Sequence, residues 1–295
     1  MNISSFGEVL WDAFPDGKRL GGAPLNVLAR LAALGANASM ISRVGDDADG
    51  TTLLTQIAER NIKTDLIQID KEQATGLVQV SLSANGSASY DIVYPCAWDK
   101  IVADDATKQH LAASDVLIFG SLALRDTVSR RALNDLLPLA KFKVFDVNLR
   151  APHYRAEELL PFLRQADLLK VNDDELFELA AAFGSRYFGL EQNIAFLSKI
   201  AECERICVTL GQHGAVFFNA GKFHFHAGYR VNVVDTVGAG DNFLAGFVFQ
   251  FLQGKTPAES LDFACALGAM VAAHAGANPE ITREQIDAFR AGEAV

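Results

Sequence analysis

Short apolar runs rich in β-branched and aromatic residues alternate with helical patterns along most of the chain. They include IFG at 118–120, KVFDVN at 143–148, LLKVN at 168–172 and RICVTLG at 205–211. This order predicts βα units on a parallel sheet. The runs are continuously apolar rather than alternating, the pattern of strands covered by helices on both faces. The expected fold class is therefore α/β, a three-layer, doubly wound, mostly parallel sheet. Two stretches break the rhythm. In 75–94, Val78, Val80 and Leu82, then Ala88, Tyr90, Ile92 and Tyr94, alternate with polar residues about Asn85-Gly86. That predicts an antiparallel hairpin with a tight turn. The segment 12–20, with its Pro15-Asp16-Gly17 turn, leaves the first strand and returns at paired glycines. Together, about 12–20 and 75–98 predict a small β lid whose apolar face has little of its own chain to cover it. No internal repeat or low-complexity linker interrupts 1–295, so a single domain is expected.

Half of the residues are hydrophobic and 21% are charged, which excludes disorder. Lys and Arg number 26 against 36 Asp and Glu, a net charge of -10, and no basic run offsets it. Nucleic acid and anionic membrane are not expected partners. The start of the chain carries Glu8 and Asp12 and lacks the basic segment of a signal peptide. The apolar stretches at 243–252 and 264–273 fall short of the ~18 residues that a spanning helix needs. Cys96, Cys203, Cys207 and Cys265 follow no disulfide or zinc spacing, so reduced, buried thiols and a cytoplasmic location are expected.

The most informative segment is VVDTVGAGDNFLAGFVFQFL at 233–252. Small residues Gly238, Ala239 and Gly240 open a helix whose face holds Phe243, Phe247 and Phe251, and such a helix start favours an anion. Asp241 beside it repels an anion unless it serves as a general base for an attacking hydroxyl. A simple helix cap is the alternative. A second constellation, LGGAPLNVLARLAALGA at 20–36, pairs Gly21-Gly22 with a helix that opens at Pro24, buries Val27, Leu28, Leu31 and Leu34, and ends at Gly35. The paired glycines allow a sharp turn close to a ligand, and Asn26 offers both donor and acceptor.

Other polar residues stand at the carboxyl ends of expected strands, where α/β sheets place their sites. These are Asp146, Asn148 and Arg150; Lys170, Asn172 and Glu175; and Thr209, Gly211 and Gly214. Asp173 or Asp174 is expected to cap the helix that carries Glu175. His224 and His226 share a strand face but lack a third ligand nearby, so a solvated face is the expectation. Glu8 is placed to orient the loop of Asp12. The first strand is not followed by GxGxxG, and no acidic residue about 20 positions later completes that fingerprint, which argues against a dinucleotide-binding oxidoreductase.

DTVGAGD at 235–241 resembles the carboxyl-terminal signature of the ribokinase-like (pfkB-type) carbohydrate kinases. GGAPLNV at 21–27 with GDDADG at 45–50 resembles the amino-terminal one, and NDDE at 172–175 and TLGQHG at 209–214 agree with it. The resemblance covers nearly the whole chain. It implies ATP-dependent phosphoryl transfer to a sugar hydroxyl on a ribokinase-like domain with a β lid over the sugar. By it, Asp241 is the catalytic base and Gly238, Ala239 and Gly240 form the anion hole. Asn172 and Glu175, with Lys170 nearby, order magnesium and phosphate, Glu175 indirectly. Thr209, Gly211, Gly214 and Gly240 belong to the nucleotide site, and Cys265 and Asn278 flank the adenine. Asp12, Gly21, Gly22 and Asn26 match sugar-contacting positions. Asp235 with Val237, Val271, His274 and Gly276 matches a loop that holds a monovalent cation, potassium, in many relatives.

GEVLWDAFPDGKRLGGAPLNV and FDVNLR are most similar to the fructokinases of the family, in which the arginine matching Arg150 lies near the phosphate or sugar. Relatives often follow that arginine with a Leu-Trp pair, and here His153-Tyr154 stands in its place. Trp98 and Tyr90 are candidates to stack on the sugar, with cross-strand packing as the alternative. The acceptor expected from the resemblance is D-fructose, with 2-keto-3-deoxygluconate, ribose or a nucleoside as alternatives, and a catalytically silent sugar sensor as a different class. The uncovered lid face points to a homodimer.

Overall fold

The computed structural model describes residues 1–82 and 88–293, so the turn expected at Asn85-Gly86 and the side chain of Tyr90 lie outside the described residues. The chain divides into two compact units, Met1–Ala32 with Ala36–Lys141, and Ala33–Gly35 with Phe142–Val295. The α/β class is as expected, mostly parallel strands with helices and a separate small sheet.

In the first unit, strand β1 (Asn2–Phe6) pairs in parallel with β4 (Asn37–Gly45) and with β9 (Val116–Gly120). The far side of β4 takes the short strands β5 (Ile62–Lys63) and β6 (Ile67–Asp70). Helix α1 (Ala23–Ala33) buries Leu25, Val27, Leu28 and Leu31 at helical spacing and stops before Gly35, whose φ of 93° suits glycine. Helix α2 (Ala48–Ala58) begins at the cap Asp47, which accepts the Gly50 N–H at 2.7 Å. The same carboxylate accepts the Thr75 N–H at 2.9 Å and the Thr75 hydroxyl at 2.7 Å. The acidic amino-terminal signature therefore ties a helix start to the strand that begins one residue after Thr75.

That strand, β7 (Gly76–Leu82), belongs to the lid. Its neighbours are β2 (Leu10–Phe14), parallel to it, and β8 (Ala88–Ile92), antiparallel, while β3 (Gly17–Gly21) lies antiparallel on the other side of β2. Val78 and Val80 are buried together with Leu10, and Phe14 and Ile92 pack against them. The expectation of an uncovered face is corrected for these two valines, each 5% exposed within the single chain, while Phe14 and Ile92 beside them stay partly exposed. Trp98 does not stack on a sugar from the lid either. It is fully buried in a short 3-10 turn at Ala97–Lys100, with the Arg125 guanidinium 4.0 Å over its ring. Arg125 also forms a bidentate ion pair with Asp99, at 2.7 and 2.8 Å, and donates to the carbonyl of Val93 at 2.7 Å. The remaining helices of this unit are α3 (Asp105–Ala113) and α4 (Thr127–Leu136).

In the second unit, β10 (Lys143–Asp146), β11 (Leu168–Asn172) and β12 (Arg205–Thr209) are parallel, and β13 (Ala215–Asn219) and β14 (Lys222–His226) continue antiparallel. Helices α5 (Ala156–Leu163), α6 (Asp173–Ala182) and α7 (Leu190–Ala201) connect them, and α8 (Ala239–Leu252), α9 (Pro257–Ala272) and α10 (Arg283–Arg290) follow. Phe247 of α8 meets Phe217 of β13 edge-on at 4.7 Å and stacks on Phe251 at 5.6 Å, so the aromatic stripe expected in α8 is a core face. Full burial of each such ring is worth roughly 1.5–3 kcal/mol. All four cysteines are free and buried. Among the described residues no helix is long and apolar enough to cross a membrane.

Candidate functional site

The start of α8 is built on Gly238. Its φ of 74° is left-handed, and a β-carbon there would lie 2.5 Å from the Ala277 carbonyl oxygen. The buried side chain of Asn242 locks this contact, donating to the carbonyls of Gly238 at 2.9 Å and Ala277 at 2.7 Å. Gly238 itself occupies the cap position and has no side chain to bond there. Asp241 sits inside the first turn of α8, so it is not the cap. What remains is a helix start of small residues, positive by virtue of its aligned peptide dipoles, with one carboxylate beside it.

Lys170, near the end of β11, reaches the same turn. A β-carbon on Gly240 would stand 3.3 Å from its Nζ. The ammonium donates to Asp146 Oδ1 at 3.0 Å, at the end of β10. Burial works to lower the pKa of Lys170, but Asp146, Glu175 and Asp241 together outweigh it and hold the value above that of an ordinary lysine. The lysine is charged at neutral pH.

Glu175 and Asn172 bind one another. Asn172 Oδ1 accepts the Glu175 N–H at 2.8 Å and Glu175 Oε2 accepts the Asn172 N–H at 2.9 Å, a reciprocal capping box. The expected cap at Asp173 or Asp174 is thus corrected to Asn172, because the Asn-x-x-Glu spacing satisfies two helix-end donors at once. Glu175 Oε1 accepts the Leu149 N–H at 2.8 Å, which ties the loop of Arg150 to α6. Burial raises the pKa of Glu175, and Lys170 partly offsets that. Each Glu175 oxygen keeps one lone pair beyond its backbone bond, so the carboxylate can still accept from a water or face a cation. Among the described residues no group of three or more His, Cys, Asp and Glu is gathered as for a metal ion.

The loop expected for a monovalent cation is drawn together. Asp235 Oδ1 accepts the Val237 N–H and its Oδ2 the Gly276 N–H, both at 3.0 Å. The N–H groups of Val234 and Asp235 reach the Ala272 carbonyl, and His274 donates its backbone N–H to Val271 at 2.9 Å. A carbonyl only accepts, so His274 Nδ1 carries the proton it shares with Met270 O at 2.7 Å.

On the nucleotide side, Thr209 ends β12 and Gly211 opens a 3-10 turn. Gly214 follows at φ 85° against the backbone of His226. Cys265 is buried in α9, and desolvation pushes its thiol up to about 12, which leaves it a packing residue without nucleophilic character. Asn278 is half-buried, two residues beyond Gly276. Arg150 is exposed and donates to its neighbour's carbonyl, and the hydroxyl of Tyr154 donates to Glu178 of α6. His226 is not a solvated histidine. It lies 3.2 Å from Asp262, which also receives Arg290 at 2.6 Å and the hydroxyl of Tyr229. Sequence spacing does not reveal that cluster, which draws β14, α9 and α10 together. Asn242, next to Asp241 in the signature, is the positioning residue that the sequence reading passed over.

In the first unit, Asp12 of β2 stands opposite Arg19 of β3. Burial pushes its carboxyl up to about 6, and Arg19 partly counters this. Gly22, at φ 117°, brings the chain against the Glu8 carbonyl, and its own carbonyl accepts the Asn26 N–H at 2.9 Å. Glu8 and Asn26 are both buried, and the structure brings Gly22 together with each of them.

A family model described as pfkB family carbohydrate kinase matches residues 4–283. The chain belongs to this family. Aminoimidazole riboside kinase of Salmonella typhimurium is 30% identical over 273 residues, 87% of this chain and 83% of that protein. Fructokinase-2 of Solanum habrochaites is 29% identical over 309 residues, 95% of this chain and 92% of its own. Among solved structures, aminoimidazole riboside kinase from Salmonella enterica, complexed with aminoimidazole riboside and an ATP analog, superimposes with a TM-score of 0.82 at 25% identity. That match covers 98% of this chain and 100% of the other. This member of the pfkB family is an ATP-using sugar kinase with the ribokinase-like fold.

Proposed function

We propose that the protein transfers the γ-phosphoryl group of ATP to a hydroxyl of D-fructose, giving fructose 6-phosphate and ADP. The observation that carries the reading is the first turn of α8, which opens on Gly238-Ala239-Gly240, holds Asp241, and has the charged Nζ of Lys170 beside Gly240. Asp241 accepts the proton of the sugar hydroxyl as its oxygen bonds to the γ-phosphorus and the bond to the β-phosphate oxygen breaks. The helix start and Lys170 offset the negative charge on the group in flight. Magnesium, held through water at Glu175 beside Asn172, supplies charge neutralisation for the ATP phosphates when bound.

Thr209, Gly211 and Gly214 line the nucleotide, with Cys265 and Asn278 beside the adenine. Asp12, Gly21, Gly22, Asn26 and Arg150 hold the sugar. Asp235, Val237, Val271, His274 and Gly276 take a potassium ion, a role supported by the hydrogen bonds that draw these loops together. The two units act as one ribokinase-like domain. A cytoplasmic location is supported by the four free, buried thiols, and the net charge of -10 supports the absence of nucleic acid or membrane partners. A homodimer through the lid rests on the apolar face of the hairpin, on which Phe14 and Ile92 stay partly exposed, and is read directly from sedimentation.

The acceptor is tested by ADP release with magnesium and ATP over fructose, 2-keto-3-deoxygluconate, ribose and aminoimidazole riboside. Highest kcat/KM on fructose is the expected result. The 30% identity to an aminoimidazole riboside kinase supports a nucleoside-like acceptor as second reading, and preference for that riboside overturns the choice of fructose.

A further inference from the structure

Two buried carboxylates stand near Lys170, and they are held in different ways. Both oxygens of Glu175 are satisfied by backbone donors, the N–H groups of Leu149 and Asn172. Asp146, only 4% exposed, accepts Lys170 on Oδ1, while its Oδ2 has no hydrogen-bond partner among the described residues. A buried ion pair repays its desolvation poorly, and a buried carboxylate oxygen without a donor adds to the cost. Stability alone therefore does not account for Asp146, whose side chain has the lysine as its one hydrogen-bonded partner among the described residues.

Lysine is a compact charge on a flexible stem, and it needs an anchor to hold one position. Its position here is specific. The ammonium lies 3.3 Å from where a Gly240 β-carbon would stand, beside the residue before Asp241. Glu175 and Asp241 both attract the same ammonium. Without Asp146, the lysine is free to swing onto either one, and a direct pair with Asp241 would occupy the carboxylate that takes the hydroxyl proton. Charge fixed in place before the reaction is what electrostatic stabilisation of a transferring group requires.

We infer that Asp146 is a positioning residue for phosphoryl transfer: it pins the Lys170 ammonium beside Gly240 and acts on the reaction only through that lysine. The inference rests on reading the first turn of α8 as the phosphoryl site. Exchange of Asp146 for asparagine keeps the shape and removes the charge.

The test is a double-mutant cycle of Asp146→Asn and Lys170→Met on the full-length chain, with saturating magnesium-ATP and the sugar it accepts. Asp146→Asn is expected to lower kcat by about tenfold or more while the sugar KM stays within about twofold, and the double variant to be no slower than Lys170→Met alone. An unchanged kcat overturns the inference. So does an equal further loss in the Lys170→Met background, which would show Asp146 acting on its own. A purely structural Asp146 would lower the melting temperature and spare the kcat of the folded fraction, and that outcome also overturns it. Should Asp146→Asn not fold, Asp146→Glu, which keeps the charge but moves it one methylene, carries the same expectation. If the wild-type chain turns over no sugar, the kinase reading fails. The cycle is then read from ATP affinity by calorimetry, where additive losses overturn the pairing and non-additive losses sustain it.

Discussion

The Asp12 carboxylate occupies the space that a side chain on Gly21 would need: a β-carbon there would lie 2.2 Å from Asp12 Oδ2 and 3.0 Å from its Cγ. Gly21 of β3 pairs with Leu10, and Asp12 stands two residues further along β2 opposite Arg19, so the carboxylate leans diagonally over the glycine, which is what lets Asp12 keep its orientation. Gly21→Ala is expected to displace the carboxylate and raise the sugar KM by about tenfold or more, with ATP affinity unchanged. Steady-state kinetics with each substrate varied in turn checks this. An unaltered sugar KM would remove Asp12 from the sugar site.

The raised pKa of Asp12 gives the same carboxylate a pH signature. Its carboxyl is pushed from 3.8 up to about 6, mainly by burial. As an acceptor for sugar hydroxyls it works best ionised, so the sugar KM is expected to fall as pH rises from 5 to 7, about the midpoint that burial sets. Stability runs the other way. The folded state holds this proton more tightly than the unfolded chain between pH 3.8 and about 6, so the contribution of Asp12 is present below that window and lost as pH rises through it. In Asp12→Asn the inflection near pH 6 should vanish from both profiles, and its persistence would assign the titration to another group.

Asp47 is a structural member of its signature. It caps α2 through Gly50 and holds the Thr75 amide and hydroxyl just before β7. Asp47→Ala is expected to cost about 1–3 kcal/mol, the loss of a cap plus unsatisfied partners. Urea denaturation measures it, and a midpoint equal to that of the wild type would contradict the cap. Burial alone would raise the pKa of Asp47, but its hydrogen bonds from Thr75 and Gly50 prevail and lower it. This part of the stability is therefore present above the ordinary aspartate range and lost as pH falls toward and below it.

The α/β class was legible because β10, β11 and β12 are continuously apolar, and nothing but burial on both faces explains such runs. The lid strands were legible from the alternation in which Val78 and Val80 are buried and Gln79 is exposed. What lay beyond reach was long-range pairing. Nothing local in the chain says that β2 joins β7 and sets Leu10 beside Val78 and Val80. Trp98 looked available for the same reason, since Arg125, which covers it, comes from a distant turn. The cap at Asn172 was missed by one residue, because Asp is as good a cap as Asn and only the reciprocal bond with Glu175 decides between them. Asp241, Lys170 and the small-residue helix start were visible as residue types. Their meeting in one turn depends on β11 and α8, which are about 70 residues apart.

The central claim is that Asp241 is the base of a sugar kinase, and the turnover of Asp241→Asn tests it most directly. ADP release is measured beside ATP and sugar affinities determined by calorimetry on the same preparations. The account predicts kcat lower by about 10²–10⁴-fold with both affinities kept within a few-fold, as for a group that acts in the transition state. Turnover near that of the wild type, with the same affinities, would contradict it.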